Sequence, residues 1–279
     1  MIGIFDSGIG GLSVFREIYK LLPRQRYAYY ADSAHCPYGG KSREYVEDRA
    51  RIITDFLLEK GADIIVVACN TATAAAIATL RREYSDPKTE ATREKVLRLT
   101  FGRRDHVKFI GMEPAVKPAS EHTETGVIGV LATAGTLSGN KYKTTRETFA
   151  KDVTVVEHVG EGFVELVEKG ITGGPEAEST VRASVLPLLD AGADTIVLGC
   201  THYPFLSETI SRIAGPDVKI IDPAPAVARH LAEVMNEEGI PETETQKSGV
   251  RETELPDISL YTSGNLQTLE TAFSRLDII

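Results

Sequence analysis

The sequence has few cysteines, no long apolar run and no excess of basic residues, and each shortage argues against a class of protein. Three cysteines among 279 residues are too few for a disulfide framework, which favours a reduced, cytoplasmic protein. No run of about 18 apolar residues occurs, and the opening "MIGIFDSGIGGLSV" lacks the basic segment of a secretory signal, so neither a membrane span nor a leader is expected. Lys and Arg number 31 against 40 Asp and Glu, and the resulting net charge of −9 argues against non-specific nucleic-acid binding.

The order of apolar and amphipathic segments predicts an α/β protein. A length of 279 residues suits two domains, and 42% hydrophobic residues are enough to form both cores. Apolar segments such as "IGIFDS" and "DIIVVACN" alternate with segments of helical period such as "SREYVEDRARIITDFLLEKGA". This alternation predicts mostly parallel sheets flanked by helices on both faces. Further strands are predicted at "YAYYADS", "VKFIGM", "GVIGVLAT", "VTVVEHV", "ADTIVLGC", "VKIIDPA" and "ISLYTSG".

Two polar segments interrupt the alternation. Residues 85–108 carry mixed charges and are interpreted as an inserted surface loop or short helix. Residues 236–256 are acidic and rich in turn-forming residues. They predict a loose connection before the last strand and a terminal helix.

The two halves of the chain resemble each other. "GADIIVVACNT" (61–71) aligns with "GADTIVLGCTH" (192–202) at an offset of 131 residues. "IGIFDSG" aligns with "IGVLATA" at an offset of 126, and "MEPA" with "IDPA" at an offset of 109. Three matches in the same order predict two pseudo-symmetric α/β domains, 1–113 plus 223–279 and 114–222, with the active site in the cleft between them.

Both Cys69 and Cys200 follow a predicted strand and precede a predicted helix. Ligands of an open parallel sheet bind outside the carboxyl ends of its strands, so two facing halves would place the two cysteines across a cleft. A helix N-terminus lowers the pKa of a thiol. A thiolate and a thiol on opposite faces of a carbon can invert a stereocentre, because one takes a proton and the other returns one. The alternative is that each cysteine is a small buried apolar residue.

Six motifs together resemble the glutamate racemase family of the cofactor-independent aspartate/glutamate racemase superfamily. They are "IGIFDSGIGGLSV", "YYADSAHCPYGGKS", "VVACNTATA", "VIGVLATAGT", "IVLGCTHYPFL" and "DPAPAVA", and they extend from residue 2 to about 228. The resemblance implies a cytoplasmic enzyme that interconverts L- and D-glutamate without a cofactor and supplies D-glutamate for peptidoglycan. A homodimer is expected, with no membrane or nucleic-acid partner.

The resemblance also implies a role for individual residues. Cys69 would deprotonate D-glutamate and Cys200 would deprotonate L-glutamate. Asp6 and His202 would assist the two thiols, and Glu168 would support the histidine, although Gly160-Glu161 stands where the family often has Cys-Pro. The substrate-binding positions that it implies are Asp6, Ser7, Tyr38, Gly39, Asn70, Thr71, Thr133, Thr136, Thr201 and His202. His202, in "GCTH", favours glutamate over aspartate.

Other interpretations of the motifs are weaker. A dinucleotide fingerprint in "DSGIGGLS" would need glycine at position 13, which is Ser13. The glycines instead predict a tight turn whose N–H groups hold an anion, such as a substrate carboxylate. "HCPYGGKS" has His35 where a P-loop needs its first glycine. Cys36 is interpreted as structural or as a neighbour that supports the site residues, rather than as a third functional thiol. No C-x₂-C spacing supports a metal site, and no lysine is placed for a pyridoxal cofactor.

Two other functions stay open at this level. A racemase of the same superfamily could act on aspartate or on a hydantoin. A binding or regulatory protein is the second alternative, since some relatives are linked to inhibition of DNA gyrase. The presence of Cys69, Cys200, Asp6 and His202 together favours an enzyme.

Overall fold

Nine strands form two parallel sheets in the part of the chain that the computed structural model describes, residues 1–86, 89–241 and 257–276. The first sheet has the order β4-β3-β1-β2-β9 and the second the order β6-β5-β7-β8. The strands are β1 (Ile2–Asp6), β2 (Tyr27–Ala31), β3 (Ile64–Val67), β4 (Lys108–Gly111), β5 (Val127–Ala132), β6 (Thr154–Val159), β7 (Thr195–Gly199), β8 (Lys219–Ile221) and β9 (Ile258–Thr262). Every pairing is parallel, which confirms the predicted fold class.

Helices connect the strands and cover the sheets. The α-helices are α1 (Leu12–Leu21), α2 (Arg43–Glu59), α3 (Asn70–Leu80), α4 (Glu90–Leu99), α5 (Val116–His122), α6 (Ala134–Ser138), α7 (Asn140–Phe149), α8 (Phe163–Glu168), α9 (Gly174–Asp190), α10 (Ser207–Ala214), α11 (Ala224–Glu237) and α12 (Leu266–Ser274). Short 3-10 turns lie at Ser33–His35 and Tyr203–Leu206, and a π-turn at Arg81–Ser85 extends α3. Among the described residues, none of these helices has the length and apolar character needed to cross a bilayer.

The two sheets repeat one topology. The order β4-β3-β1-β2 corresponds strand by strand to β8-β7-β5-β6. Ile2 pairs with Ile64 in the first sheet, and Ile128 pairs with Thr195 in the second. These pairs differ by the same offsets, 126 and 131, that the sequence repeats have. The pseudo-symmetry predicted from three short matches is therefore present in strand order and in register.

The short-helix alternative for residues 85–108 is confirmed, and one face of this helix packs into the first core. These residues contain the ten-residue helix α4, whose Val96 and Leu99 are buried. Apolar residues three positions apart lie on one face of a helix, so this face packs inward despite the polar surroundings. The register also corrects the third repeat, because Lys108 and Lys219 occupy equivalent positions at an offset of 111 rather than 109.

The first sheet takes its strands from residues 2–111 and 258–262, and the second takes them from residues 127–221. The predicted domain boundaries, between 113 and 114 and between 222 and 223, fall in connections between these sets and stay a prediction. The terminal strand and helix are confirmed as β9 and α12. Residues 87–88 of the polar insertion and 242–256 of the acidic connection lie outside the described residues.

The carboxyl ends of the two sheets face each other. The hydroxyl of Thr201, just after β7, donates to Oδ1 of Asp6 at the end of β1, at 3.4 Å. The hydroxyl of Ser13 in α1 donates to the carbonyl oxygen of Thr201 at 2.9 Å. Both contacts are buried and both join the two halves. Residues at and after the end of β1 therefore meet residues that follow β7.

Candidate active site

A small cavity between the two sheets contains both cysteines. It is lined by Ser7, Pro37, Tyr38, Gly39, Cys69, Asn70, Thr71, Thr133, Val164, Cys200, Thr201 and His202. The lining includes every predicted site residue except Asp6, Thr136 and Glu168. The free volume is about 10 Å³, close to what one water needs and too little for an amino acid. The arrangement is therefore a closed one.

Cys69 occupies the N-cap position of α3. Its sulfur accepts the N–H of Ala72 at 3.4 Å, and its thiol donates to Oγ of Ser7 at 3.8 Å. Burial raises the pKa of Cys69 well above its ordinary value, and the nearby Asp6 raises it further. The N–H of Ala72 acts in the opposite direction, as expected for a helix N-terminus, but burial outweighs it. The thiol is therefore the stable form in the closed cavity.

Asp6, the last residue of β1, is fully buried behind Cys69. Its Oδ2 accepts the N–H groups of Gly11 at 2.8 Å and Gly8 at 3.3 Å. Burial raises the pKa of Asp6, while the positive charge of His202 and the bond from Gly11 oppose the rise. A carboxyl group with a raised pKa beside a thiol can exchange a proton with it.

The glycine turn binds the protein's own carboxylates. Gly8 and Gly11 donate to Asp6, and the N–H of Ile9 donates to Oε1 of Glu168 at 2.8 Å. The predicted anion site is thus present, but the expectation that a substrate carboxylate fills it is wrong. Acidic side chains of both halves already lie at these N–H groups.

His202 connects Cys200 with Glu168. Nδ1 of His202 lies 3.8 Å from Sγ of Cys200, and Nε2 lies 2.7 Å from Oε1 of Glu168. Burial disfavours the imidazolium, but hydrogen bonds to Cys200, Cys36 and Glu168 outweigh it and raise the pKa of His202 well above its ordinary value. Burial likewise acts to raise the pKa of Glu168, yet the bond from His202 lowers it overall. The pair is accordingly an imidazolium held by a carboxylate.

Cys200 differs from Cys69 in its backbone setting. A 3-10 turn, Tyr203–Leu206, follows it, and α10 begins only at Ser207. Both cysteines precede a helix as predicted, but only Cys69 caps an α-helix directly. His202 takes the place of the helix N-terminus as the group next to the sulfur.

Replacing Gly10 by alanine should disrupt this arrangement. A β-carbon at Gly10 would lie 2.3 Å from Nδ1 of His202, so the ring must move or the two halves must separate. We expect catalytic activity to fall at least tenfold and stability to fall by roughly 1–3 kcal/mol, as for other overpacked sites. Steady-state rates and thermal unfolding measure both effects.

Gly40→Ala is the matched control. A β-carbon there meets nothing within 4 Å, and Gly40 is not among the glycines with positive φ. Gly40→Ala should leave both quantities unchanged. Equal activity of the two variants would show that His202 tolerates displacement.

Three hydroxyl groups form a cluster at the opposite side of the cavity. Oγ1 of Thr71 lies 2.8 Å from that of Thr133 and 3.4 Å from that of Thr136, which are 3.0 Å from each other. Thr71 lies in the first turn of α3, and Thr133 caps α6. The cluster again joins the two halves, and its hydroxyl groups are donors suited to a carboxylate.

Asn70 has a buried amide with no hydrogen-bond partner among the described residues. Both Nδ2 and Oδ1 are affected. Buried polar groups almost always have a partner, so an unpartnered amide in a cavity wall points to a bound ligand or water. The position agrees with the predicted substrate contact.

Asp32 and Arg49 support the site and were missed in the sequence. Tyr38 donates its hydroxyl to Oδ2 of Asp32 at 2.5 Å, and Arg49 donates to both carboxylate oxygens at 2.9 and 2.8 Å. Tyr38 is a wall of the cavity, so this pair holds the wall in place. Asp32 directly follows β2, beside the strand that ends in Asp6, and that position at the sheet edge was the available signal.

Replacing Asp32 by asparagine should cost stability in a pH-dependent way. Burial acts to raise the pKa of Asp32, but bonds from Arg49, Tyr38 and Ser263 lower it overall. The stabilising effect is therefore complete above the unfolded pKa of about 3.9 and is lost as the pH falls through the lower folded pKa. We expect Asp32→Asn to lower the free energy of unfolding by roughly 3 kcal/mol at pH 7.

The difference in the free energy of unfolding between Asp32→Asn and the unsubstituted protein should become smaller below about pH 4. Urea unfolding at a series of pH values measures it. Asp217→Asn, at an exposed carboxyl group, is the control, and its free energy of unfolding should stay close to that of the unsubstituted protein. If the free-energy difference for Asp32→Asn stayed constant from pH 7 to 3, the stabilising role of the ionised Asp32 carboxylate would be contradicted.

Comparisons with known proteins agree with this geometry. The family model described as Asp/Glu/Hydantoin racemase matches residues 106–231. A glutamate racemase of Roseiflexus sp. (strain RS-1) is 42% identical over 277 residues, covering 99% of this chain and 92% of the relative. The crystal structure of a glutamate racemase isoform from Bacillus anthracis aligns with a TM-score of 0.78 at 30% identity, over 99% of this chain and 92% of that one. A glutamate racemase from Francisella tularensis in complex with D-glutamate aligns with a TM-score of 0.73 at 26% identity, over the same shares.

Proposed function

Because the chain belongs to the glutamate racemase family and is an amino-acid racemase, we propose that it interconverts L- and D-glutamate by proton transfer between Cys69 and Cys200. The observation that carries the proposal is the shared cavity, in which two thiols from equivalent positions of the two halves face one site. Such a pair can act on opposite faces of one α-carbon.

The two thiols exchange roles between the two directions. Cys69 removes the α-proton of D-glutamate and Cys200 protonates the opposite face, and the reverse reaction begins at Cys200. Asp6 lies beside Cys69 and His202 beside Cys200, so each thiol has one acid–base partner. The buried Cys69 thiol must first pass its proton to the adjacent carboxylate of Asp6, and the incoming substrate ammonium group favours the resulting thiolate by its positive charge.

The polar wall of the cavity binds the substrate. The hydroxyl groups of Thr71, Thr133 and Thr136 bind a carboxylate, and the unpartnered amide of Asn70 offers both a donor and an acceptor. The closed cavity has no room for glutamate, so the two halves must separate to admit it. Closure then excludes water and strengthens the few charges near the α-carbon.

Circular dichroism of L-glutamate incubated with the protein, without added cofactor, tests the proposal. L-Aspartate is incubated in parallel. We expect the glutamate signal to decay to zero and the aspartate signal to persist. Decay of the aspartate signal alone would identify the protein as an aspartate racemase of the same superfamily. Persistence of both signals would contradict a racemase of acidic amino acids.

Supply of D-glutamate for peptidoglycan, a cytoplasmic location and a homodimer remain predictions. The first is tested by growth of a D-glutamate-requiring bacterial strain that expresses this chain. Growth without D-glutamate by the parent chain, but not by Cys69→Ser, would support it. Light scattering of the purified protein determines whether it is dimeric.

A further inference from the structure

Cys36 meets Glu168 and His202 at the back of the active site. Sγ of Cys36 lies 3.8 Å from Oε1 of Glu168, and the donor atoms of the three side chains all lie within 4.8 Å of one another. Cys36 follows the 3-10 turn after β2, whereas Glu168 ends α8 and His202 follows β7. These residues are separated by up to 166 positions in the sequence, from 36 to 202, so a short spacing motif could not predict the cluster.

We propose that Cys36, Glu168 and His202 form a binding site for a borderline-soft divalent cation such as Zn²⁺, which locks the two halves together and inhibits the enzyme. One thiolate, one imidazole and one carboxylate form a donor set that zinc accepts, with a water in the fourth position. Tetrahedral bonds of about 2.0–2.3 Å place donor atoms roughly 3.3–3.6 Å apart. Oε1 of Glu168 lies 2.7 Å from Nε2 of His202 and 3.8 Å from Sγ of Cys36, so each of these two distances must change by well under an ångström to fit a bound cation.

The charges of the site also suit a divalent cation. Binding forms an S–metal bond at Cys36 and an N–metal bond at Nε2 of His202, and the proton that each of these atoms carried leaves to solvent. One thiolate and one carboxylate then balance the two positive charges, so a neutral group is buried. The remaining ring proton of His202 is on Nδ1, where it faces Sγ of Cys200.

The surroundings supply further support and a route of entry. The N–H of Ile9 holds Oε1 of Glu168 at 2.8 Å, which orients the carboxylate as outer groups orient metal ligands. Glu168 also lines an open cavity of about 310 Å³ on the side of α12, which leads to solvent. Lys169 and Arg275 line the same cavity, so thiolate affinity rather than electrostatic steering would select the cation.

The three proposed ligands come from both halves of the protein, so a bound cation would link the two halves. Cys36 belongs to the half that contains the first sheet, and Glu168 and His202 belong to the other half. A bound cation therefore ties the halves in the closed arrangement, which admits no substrate, and also occupies the histidine next to Cys200. Binding itself is independent of the proposed function, whereas inhibition rests on it.

Two titrations of the purified full chain test the proposal. In the first, Co²⁺ serves as a spectroscopic probe, and we expect a thiolate-to-metal charge-transfer band that saturates at one equivalent. Zn²⁺ should displace the Co²⁺ and raise the thermal unfolding temperature. In the second, Zn²⁺ should lower racemase activity at least tenfold, with recovery on addition of a chelator.

Cys36→Ser and Cys69→Ser form the matched pair. Cys36 does not line the cavity but contacts Glu168 and His202, so inhibition of Cys36→Ser is measured relative to the activity of the same variant without metal. The affinity of Cys36→Ser for Zn²⁺ should fall at least about tenfold, the lower end of the loss seen for outer-shell groups. Cys69→Ser should keep the Co²⁺ band. Loss of the band in Cys69→Ser with retention in Cys36→Ser, equal inhibition of Cys36→Ser and the parent, or no band at all would overturn the proposal. A Co²⁺ band with the expected variant pattern in a protein without racemase activity would support the site and contradict only the proposed function.

Discussion

Replacing either Cys69 or Cys200 by serine will lower the rate of racemisation by roughly 10³- to 10⁴-fold, near the upper end of the usual contribution of a general acid–base group. Both thiols act in every turnover, because one removes the α-proton and the other delivers a proton to the opposite face. A serine hydroxyl is a far weaker acid than a thiol, so it cannot take the same part. The loss should therefore be similar for the two variants and in both directions.

Proton exchange distinguishes the two variants. In D₂O, Cys69→Ser retains Cys200 and should slowly exchange the α-proton of L-glutamate without inverting it. Cys200→Ser should do the same with D-glutamate. Proton NMR measures the exchange, and circular dichroism measures the inversion. Asp217→Asn, at an exposed carboxyl group, is the control and should racemise normally. Near-normal racemisation by either active-site variant would rule out the two-thiol mechanism.

Replacing Asp6 or His202 by asparagine should lower kcat/KM on the order of 10²-fold. Asp6 is the buried carboxyl group beside Cys69, and His202 lies 3.8 Å from Sγ of Cys200. L- and D-glutamate have equal free energies, so the equilibrium constant is one and kcat/KM must fall equally in both directions. The rates alone therefore cannot show which thiol each residue assists.

Isotope effects with α-deuterated glutamate make that distinction. In Asp6→Asn the step at Cys69 becomes the slower one, so a large isotope effect is expected from D-glutamate and a small one from L-glutamate. In His202→Asn the step at Cys200 becomes slower, and the pattern should reverse. The same pattern in both variants would contradict the pairing of Asp6 with Cys69 and of His202 with Cys200.

Local patterns were sufficient to predict most of the fold. The apolar segment before Cys69 and its repeat before Cys200 are the strands β3 and β7, and the register of the two sheets follows the sequence offsets. At residues 85–108 the short helix was among the alternatives, but a polar composition concealed the buried face of α4 formed by Val96 and Leu99. Two apolar residues in a charged segment are too weak a signal to distinguish a packed helix from a surface one.

The candidate site was only partly predictable. Ten of the thirteen residues that the resemblance named line one cavity. Glu168 lies at His202 despite the altered residues at Gly160-Glu161. The support of Tyr38 by Asp32 and Arg49 was missed, because Asp32 had no assigned role within "YYADSAHCPYGGKS" and Arg49 lies outside the six motifs. The pKa of Cys69 was also not predictable, since it depends on burial as well as on the helix N-terminus.

By itself, the sequence determined that this protein has two related parallel-sheet halves, each with a cysteine after a central strand. Hydrophobic periodicity and repetition are local properties that can be read along the chain. Only the tertiary structure decided which groups meet between the halves. Ile9 and Glu168 are 159 positions apart, yet the N–H of Ile9 donates to the carboxylate of Glu168. Because of this contact, the glycine turn binds an acidic side chain of the protein where a substrate carboxylate was expected. Such contacts depend on how two separately formed sheets pack against each other, and the spacing of residues within either sheet does not encode that packing.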